Sequence, residues 1–185
     1  MQTLQRLLPK LSIVNVVATA ELGQSVDLVK LADVEGFLYD QAIYHCAYFK
    51  DDDTRAKISI FSTGKMISVG SKRFEDAKHD LKHAVKKLEE LGLIKPVKIA
   101  VKLQNIVATG ELGQSMDIES LVRKLPSTIY EPEQFPGAIH YAKELEGASI
   151  LIFANGKVVF SGLKRPELLD VGKKVLVDLA RLISE

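Results

Sequence analysis

Val17 to Leu28 reads VATAELGQSVDL, and Val107 to Ile118 reads VATGELGQSMDI. Nine of the twelve positions are identical, at a constant offset of 90 residues. An asparagine stands two residues ahead of each copy, Asn15 and Asn105. A second echo follows, Ile60-Phe61-Ser62-Thr63-Gly64-Lys65 against Ile152-Phe153-Ala154-Asn155-Gly156-Lys157, at an offset of 92. The chain is therefore a tandem duplication. Its unit of about 90 residues is too long for a solenoid repeat and long enough for a half-domain. A duplicated protein suits a ligand that is itself two-fold, or one long enough to cross both halves.

Composition narrows the partner classes. With 46% hydrophobic residues, the 185-residue chain can bury a proper core in one or two small domains. Its net charge is +1 and the two halves are balanced, so phosphate neutralisation alone is not its mode of binding. The single cysteine, Cys46, excludes an internal disulfide and suits a reducing compartment. The opening MQTLQRLLPKL is too short and broken for a signal peptide, and no apolar run reaches membrane-spanning length.

Hydrophobic periodicity predicts the same element order in both copies. Ile13–Ala20 reads as a strand with Asn15, Val17 and Thr19 on one face and Val14, Val16 and Ala18 on the other. A short helix follows, capped by Ser25 or Asp27 and running to about Phe37. Strands are expected at Ile43–Phe49, Lys57–Phe61 and Met66–Gly70, then a helix over Phe74–Leu91 ended by Gly92. Leu93–Lys98 is the linker. The second copy gives a strand at Val101–Thr109, a helix from Asp117, and strands near Ala138–Ala142, Ser149–Phe153 and Lys157–Gly162. A last helix runs from Pro166 to about Ile183, with Gly172 an awkward interior residue. The expected domains are an extension over 1–11, a first repeat over 12–98 and a second over 99–185. Helices can cover one face of such an antiparallel sheet. The opposite face then carries Asn15, Val17, Phe61, Ile67, Val69, Asn105, Val107, Leu151, Phe153, Val159 and Ser161. A broad apolar face with two lone asparagines is a binding surface.

These segments resemble the TATA-box-binding protein family. The matching runs are Asn105–Thr109, Tyr130-Glu131-Pro132-Glu133-Gln134-Phe135-Pro136-Gly137, Ile152–Lys157 and Ser161-Gly162-Leu163-Lys164, and the likeness spans nearly the whole chain after Leu11. The resemblance implies an α+β saddle: one curved antiparallel sheet of ten strands with four helices on its convex face. It implies that the concave face sits on the minor groove of A·T-rich promoter DNA and bends it; the family is the standard example of that kinking. It makes Phe61, Phe153 and Phe135 wedges between base steps, with Tyr44 in the slot of the fourth. It assigns phosphate contacts to Lys50, Lys65, Lys72, Lys157 and Lys164, and contact with transcription factor B to the loop bearing Glu131 and Glu133. RNA polymerase is then an indirect partner. The short N-terminus is of the archaeal type, which implies a cytoplasmic, nucleoid-associated protein; a eukaryotic one would be nuclear. The apolar face also allows a homodimer away from DNA.

The chemistry of the residues agrees. The minor groove of A·T pairs offers only acceptors, and guanine adds an amine donor. Asn15 and Asn105 bring amide donors, while Val17, Val107, Ile67, Val159 and Leu151 would strand the guanine amine. Copy one departs from the family pattern. Its loop, Tyr39-Asp40-Gln41-Ala42-Ile43-Tyr44-His45-Cys46, lacks the prolines, the glycine and the phenylalanine. Val69 and Ser161 replace threonines, and Tyr141 replaces an arginine. These departures allow weaker kinking, a relaxed sequence preference, or a divergent paralogue acting through protein partners. A small-molecule or enzymatic module on the same fold is a further reading. No nucleophile–base pair, metal cluster or phosphate loop is evident, so neither catalysis nor a cofactor is expected. His79 and His83 stand four apart on a helix without an evident third ligand, and Asp51-Asp52-Asp53 reads as a solvated loop. His45 and His140 are single strand residues, and Cys46 reads as a buried small hydrophobe.

Overall fold

A computed structural model describes residues 10–183, so most of the 1–11 extension lies outside the described residues. Contacts divide the chain into two units: Asn15–Gln104, and the part from Asn105 onward with the segment up to Val14. Among the described residues each holds five antiparallel strands, ten in all, in keeping with the duplication.

The first unit contains β1 (Ser12–Glu21, from Asn15), β2 (Phe37–Leu38), β3 (Cys46–Phe49), β4 (Lys57–Phe61), β5 (Lys65–Ser71) and α1 (Phe74–Glu90). Its sheet runs β2-β3-β4-β5-β1. Period-two alternation sends Val16, Ala18, Ala20, Ile58, Ile60 and Met66 inward, all at most 3% exposed. They meet the stripe Ala77, Leu81, Ala84 and Leu88 of α1, each at 0% exposure. Glu75 and Asp76 favour the helix start through its dipole, and the fold ends it one residue before Leu91.

The second unit contains β6 (Lys102–Glu111), α2 (Ile118–Lys124), β7 (Thr128–Ile129), β8 (Gly137–His140), β9 (Ser149–Phe153), β10 (Lys157–Leu163) and α3 (Leu168–Leu182). Its order is β6-β10-β9-β8-β7. Ile106, Ala108, Ile150, Ile152, Val158 and Phe160 face inward, with Leu168, Leu176 and Leu179 of α3. Gly172, awkward in sequence, is tightly fitted: a Cβ there would lie 3.3 Å from the Phe160 ring and from Leu11, so a neighbour would have to give by a few tenths of an ångström. Phe160 is bulkier than its counterpart Ser68, and the glycine makes room for it. Ser68 is fully buried without a hydrogen-bond partner for its hydroxyl.

Three α-helices form among the described residues rather than four. In copy one the short helix shrinks to a 3₁₀ turn, Leu28–Leu31, capped by Asp27. Leu28 and Leu31 are its buried residues, and their spacing of three needs a single turn. Gly36 then adopts φ 85° and lets β2 begin inside the span expected to be helical. In copy two α2 does form, with Asp117 accepting a hydrogen bond from the Glu119 amide.

Candidate nucleic-acid interface

Within each unit, the face opposite the helices carries the residues named from the sequence. In the first unit Val17 pairs with Val69 and Thr19 with Ile67; Ile67 pairs with Ser59, and Ser59 with Tyr48. In the second, Thr109 pairs with Val159, Val159 with Leu151 and Leu151 with Ile139. Val17, Ile67, Val107, Leu151 and Val159 are half-buried, and Val69 is 42% exposed. A row of half-exposed aliphatic side chains flanked by strands on both sides is a surface built for contact.

The two asparagines are fixed in matching ways. Asn15 Oδ1 accepts the Gly70 amide at 2.9 Å, and Asn105 Oδ1 accepts the Gly162 amide at 2.9 Å. Only an oxygen can accept from a backbone N–H, so these bonds set the amide orientation. The Nδ2 groups are left as donors on the uncovered side. Both glycines lie at positive φ, 115° and 90°, beside a break in strand register. The break turns the glycine amide toward the asparagine. The repeated Gly70 and Gly162 carried this signal in the sequence; only their spacing of more than 50 residues from the asparagines concealed it.

At the far end of each face stand the aromatic side chains. Gly137 pairs with Phe153, and the rings of Phe135 and Phe153 meet edge to face with centroids 5.7 Å apart. A Cβ on Gly137 would lie 3.1 Å from each ring and 3.0 Å from the Ile152 carbonyl oxygen, so glycine is needed for this pair. In the first unit Cys46 occupies the matching position opposite Phe61, and Tyr44 meets Tyr48 edge to face at 5.4 Å.

The copy-one loop keeps the backbone of its counterpart despite the lost prolines. Ile43 and Tyr44 donate to the Asp40 carbonyl as Gln134 and Phe135 donate to the Glu131 carbonyl. The Asp40 carboxylate accepts the Ala42 amide at 2.8 Å and stiffens the turn that Pro132 stiffens in copy two. The backbone therefore brings Tyr44 to the position of Phe135, but its ring packs on Tyr48 whereas that of Phe135 packs on Phe153.

Lys50, Lys65, Lys72, Lys157 and Lys164 are exposed at strand ends and beyond, and none forms an ion pair among the described residues. Glu131 and Glu133 are exposed on the loop before β8, and Tyr141 is 44% exposed after it.

The structure also brings together residues that the sequence kept apart. His83 Nε2 lies 2.7 Å from Asp51 Oδ2, and Asp53 stands close enough for the three to offer ligand atoms within 4.8 Å of one another. The loop about 30 residues upstream thus gives His83 two carboxylate neighbours, while His79 lies outside the group and faces Asp80. Burial pushes the Asp51 carboxyl up, but the hydrogen bond and charge of His83 outweigh it and hold the pKa below the usual value. Asp80 is fully buried, and its carboxylate accepts the Arg55 and Ala56 amides at 3.1 and 2.8 Å. It anchors the entry to β4. His140 is buried against Thr128 Oγ1 at 3.0 Å, and burial holds its pKa below 6.5.

Comparison with known proteins places this geometry. The family described as "Transcription factor TFIID (or TATA-binding protein, TBP)" matches residues 10–91 and again 100–182. The chain is 36% identical over 159 residues to the TATA-box-binding protein of Cenarchaeum symbiosum, covering 85% of this chain and 86% of that one. It is 40% identical over 157 residues to that of Pyrobaculum neutrophilum, covering 84% and 79%. The solved structure of Methanococcus jannaschii TBP superposes with a TM-score of 0.79 at 31% identity, over 93% of this chain and 98% of that one. Two copies of one unit, two locked asparagines and two family matches agree: this chain belongs to the TATA-binding protein family of transcription factors.

Proposed function

We propose that this protein is a general transcription initiation factor that binds the minor groove of A·T-rich promoter DNA, bends it, and recruits transcription factor B and, through it, RNA polymerase. The observation that carries the reading is the matched pair of asparagines, Asn15 and Asn105, each with its oxygen tied to a glycine amide. The free Nδ2 donors suit adenine N3 and thymine O2, the only polar groups on the floor of an A·T minor groove. Around them Val17, Val107, Ile67, Val69, Leu151 and Val159 offer no acceptor for a guanine amine, and Ser161 adds a small hydroxyl.

Phe61, Phe153, Phe135 and Tyr44 act as wedges. Fully burying four such side chains yields roughly 6–12 kcal/mol. The rings are already half-buried, so the gain on insertion lies toward the lower end. Unstacking costs a few kcal/mol per step and smooth bending about 1–6. Insertion thus offsets much of the deformation, and a nearly neutral protein can hold bent DNA. Lys50, Lys65, Lys72, Lys157 and Lys164, free of carboxylate partners, position the duplex through its phosphates.

Glu131 and Glu133 offer two exposed carboxylates to a basic surface of transcription factor B. The protein works in the cytoplasm at the nucleoid, with repeats over 12–98 and 99–185 acting as the two halves of the reader. No helix among the described residues is long and apolar enough to cross a membrane. The test is a gel shift on A·T-rich and G·C-rich duplexes, with and without transcription factor B. The reading expects A·T-selective binding and a supershift that is lost when Glu131 and Glu133 are changed to lysine. Equal binding of both duplexes would overturn the DNA reading.

A further inference from the structure

The uncovered faces of the two units are not chemically equal in the row beside the wedges. In the second unit that row is Val159, Leu151, Ile139 and Ile129, joined strand to strand. It is entirely aliphatic. In the first unit the matching row is Ile67, Ser59, Tyr48 and Leu38. Two hydroxyls, on directly paired residues, stand where copy two has Leu151 and Ile139.

The ring of Tyr48 is held from two further sides. Lys57 Nζ lies 4.0 Å from its centroid, and Tyr44 meets it edge-on. Cys46 stands two residues before Tyr48 on β3 and so shares its face. A hydrogen bond to the Cys46 thiol, then that thiol's charge, raises the phenol pKa above its ordinary value. A phenol hydroxyl keeps oxygen lone pairs as acceptors whichever way its proton turns. Cys46 fills the position of Gly137, where any Cβ would press on two phenylalanine rings. The exchange of glycine for cysteine therefore accompanies the exchange of an apolar row for a hydroxylated one.

Resting on the minor-groove reading above, we infer that Ser59 and Tyr48 are specificity-determining residues that let the copy-one end of the face accept a guanine amine. At the copy-two end the row beside the wedge, with Leu151 and Ile139, rejects it; the paired hydroxyls of Ser161 and Ser149 lie one row farther from Phe153. A guanine amine is the one donor of the minor groove, and a site of aliphatic side chains leaves it unpaired. The protein is then strict at one end of its DNA site and tolerant at the other.

The experiment is a fluorescence-anisotropy titration of the full chain on duplexes carrying one A·T to G·C change at each position in turn. A mismatched pair costs about 1–3 kcal/mol, which is about 5- to 150-fold. For the wild type the inference expects a loss of more than about tenfold beside one wedge site and less than about threefold at the mirror position. Ser59→Leu with Tyr48→Ile, the copy-two identities, should raise the tolerated penalty to about tenfold, measured against the same variant's affinity for the all-A·T duplex. The milder Ser59→Ala with Tyr48→Phe keeps the ring and its lysine and should do the same. Equal penalties at the two mirror positions, or an asymmetry that survives both double variants, would overturn the inference. Loss of A·T preference at every position would instead sink the minor-groove reading on which it rests.

Discussion

Asn105→Asp separates what holds the asparagine from what the asparagine reads. The side-chain oxygen accepts the Gly162 amide at 2.9 Å, and a carboxylate can keep that bond. The fold should therefore survive. The other atom changes from an N–H donor to an oxygen, facing groove acceptors with no proton to offer. Losing one such contact costs about 1–3 kcal/mol, or about 5- to 150-fold in affinity, and repulsion between like acceptors adds to it. Asn105→Ala removes both roles: it should lose similar affinity and about 1 kcal/mol of stability from the unpaired Gly162 amide. Asn15→Asp should mirror the effect through Gly70. Anisotropy on an A·T-rich duplex measures affinity, and a thermal melt measures stability. Wild-type affinity in Asn105→Asp, with an unchanged melt, would refute the claim that Nδ2 contacts the groove.

Three other outcomes are expected. Phe153→Ala removes one ring of the pair with Phe135 and should reduce DNA bending, seen as a longer fluorescence end-to-end distance on a doubly labelled duplex; an unchanged distance refutes the wedge role. Asp80→Ala leaves the Arg55 and Ala56 amides unpaired in the core and should cost roughly 3 kcal/mol in denaturant unfolding, since each bond to a charged group contributes about 1.5–3 kcal/mol. The folded-state pKa of His140 lies below its unfolded value, so protonation favours the unfolded chain. Stability should be full above about pH 6.5 and decline as pH falls below it; His140→Phe, the residue found at Phe49, should flatten that part of the melting-temperature profile.

The sequence carried the repeat, the strands and the identity of the uncovered face, because period two and a fixed offset are local properties. Asn15 and Val17 fell on the correct face for that reason. It did not carry the 3₁₀ turn at Leu28–Leu31, where tertiary burial of two leucines needs less than a helix. The two-residue strands Phe37–Leu38 and Thr128–Ile129 have no periodicity of their own and exist only through their partners. Nothing in the helix pattern marks Asp80, because its partners lie 24 and 25 residues away in sequence. Asp51 and His83 are likewise joined only by the fold. The copy-one loop looked degenerate because its prolines are gone. Asp40 restores the turn by a side-chain bond, which residue spacing alone does not reveal.

The central claim is that the protein reads the floor of the minor groove. An inosine·cytosine pair lacks the guanine amine, so its minor groove matches A·T while its major groove matches G·C. Affinity should therefore be measured on one duplex made three ways, with A·T, inosine·cytosine and G·C pairs in the site. The account predicts that the inosine duplex binds close to the A·T duplex and far above the G·C duplex. Binding of the inosine duplex at the G·C level would contradict it.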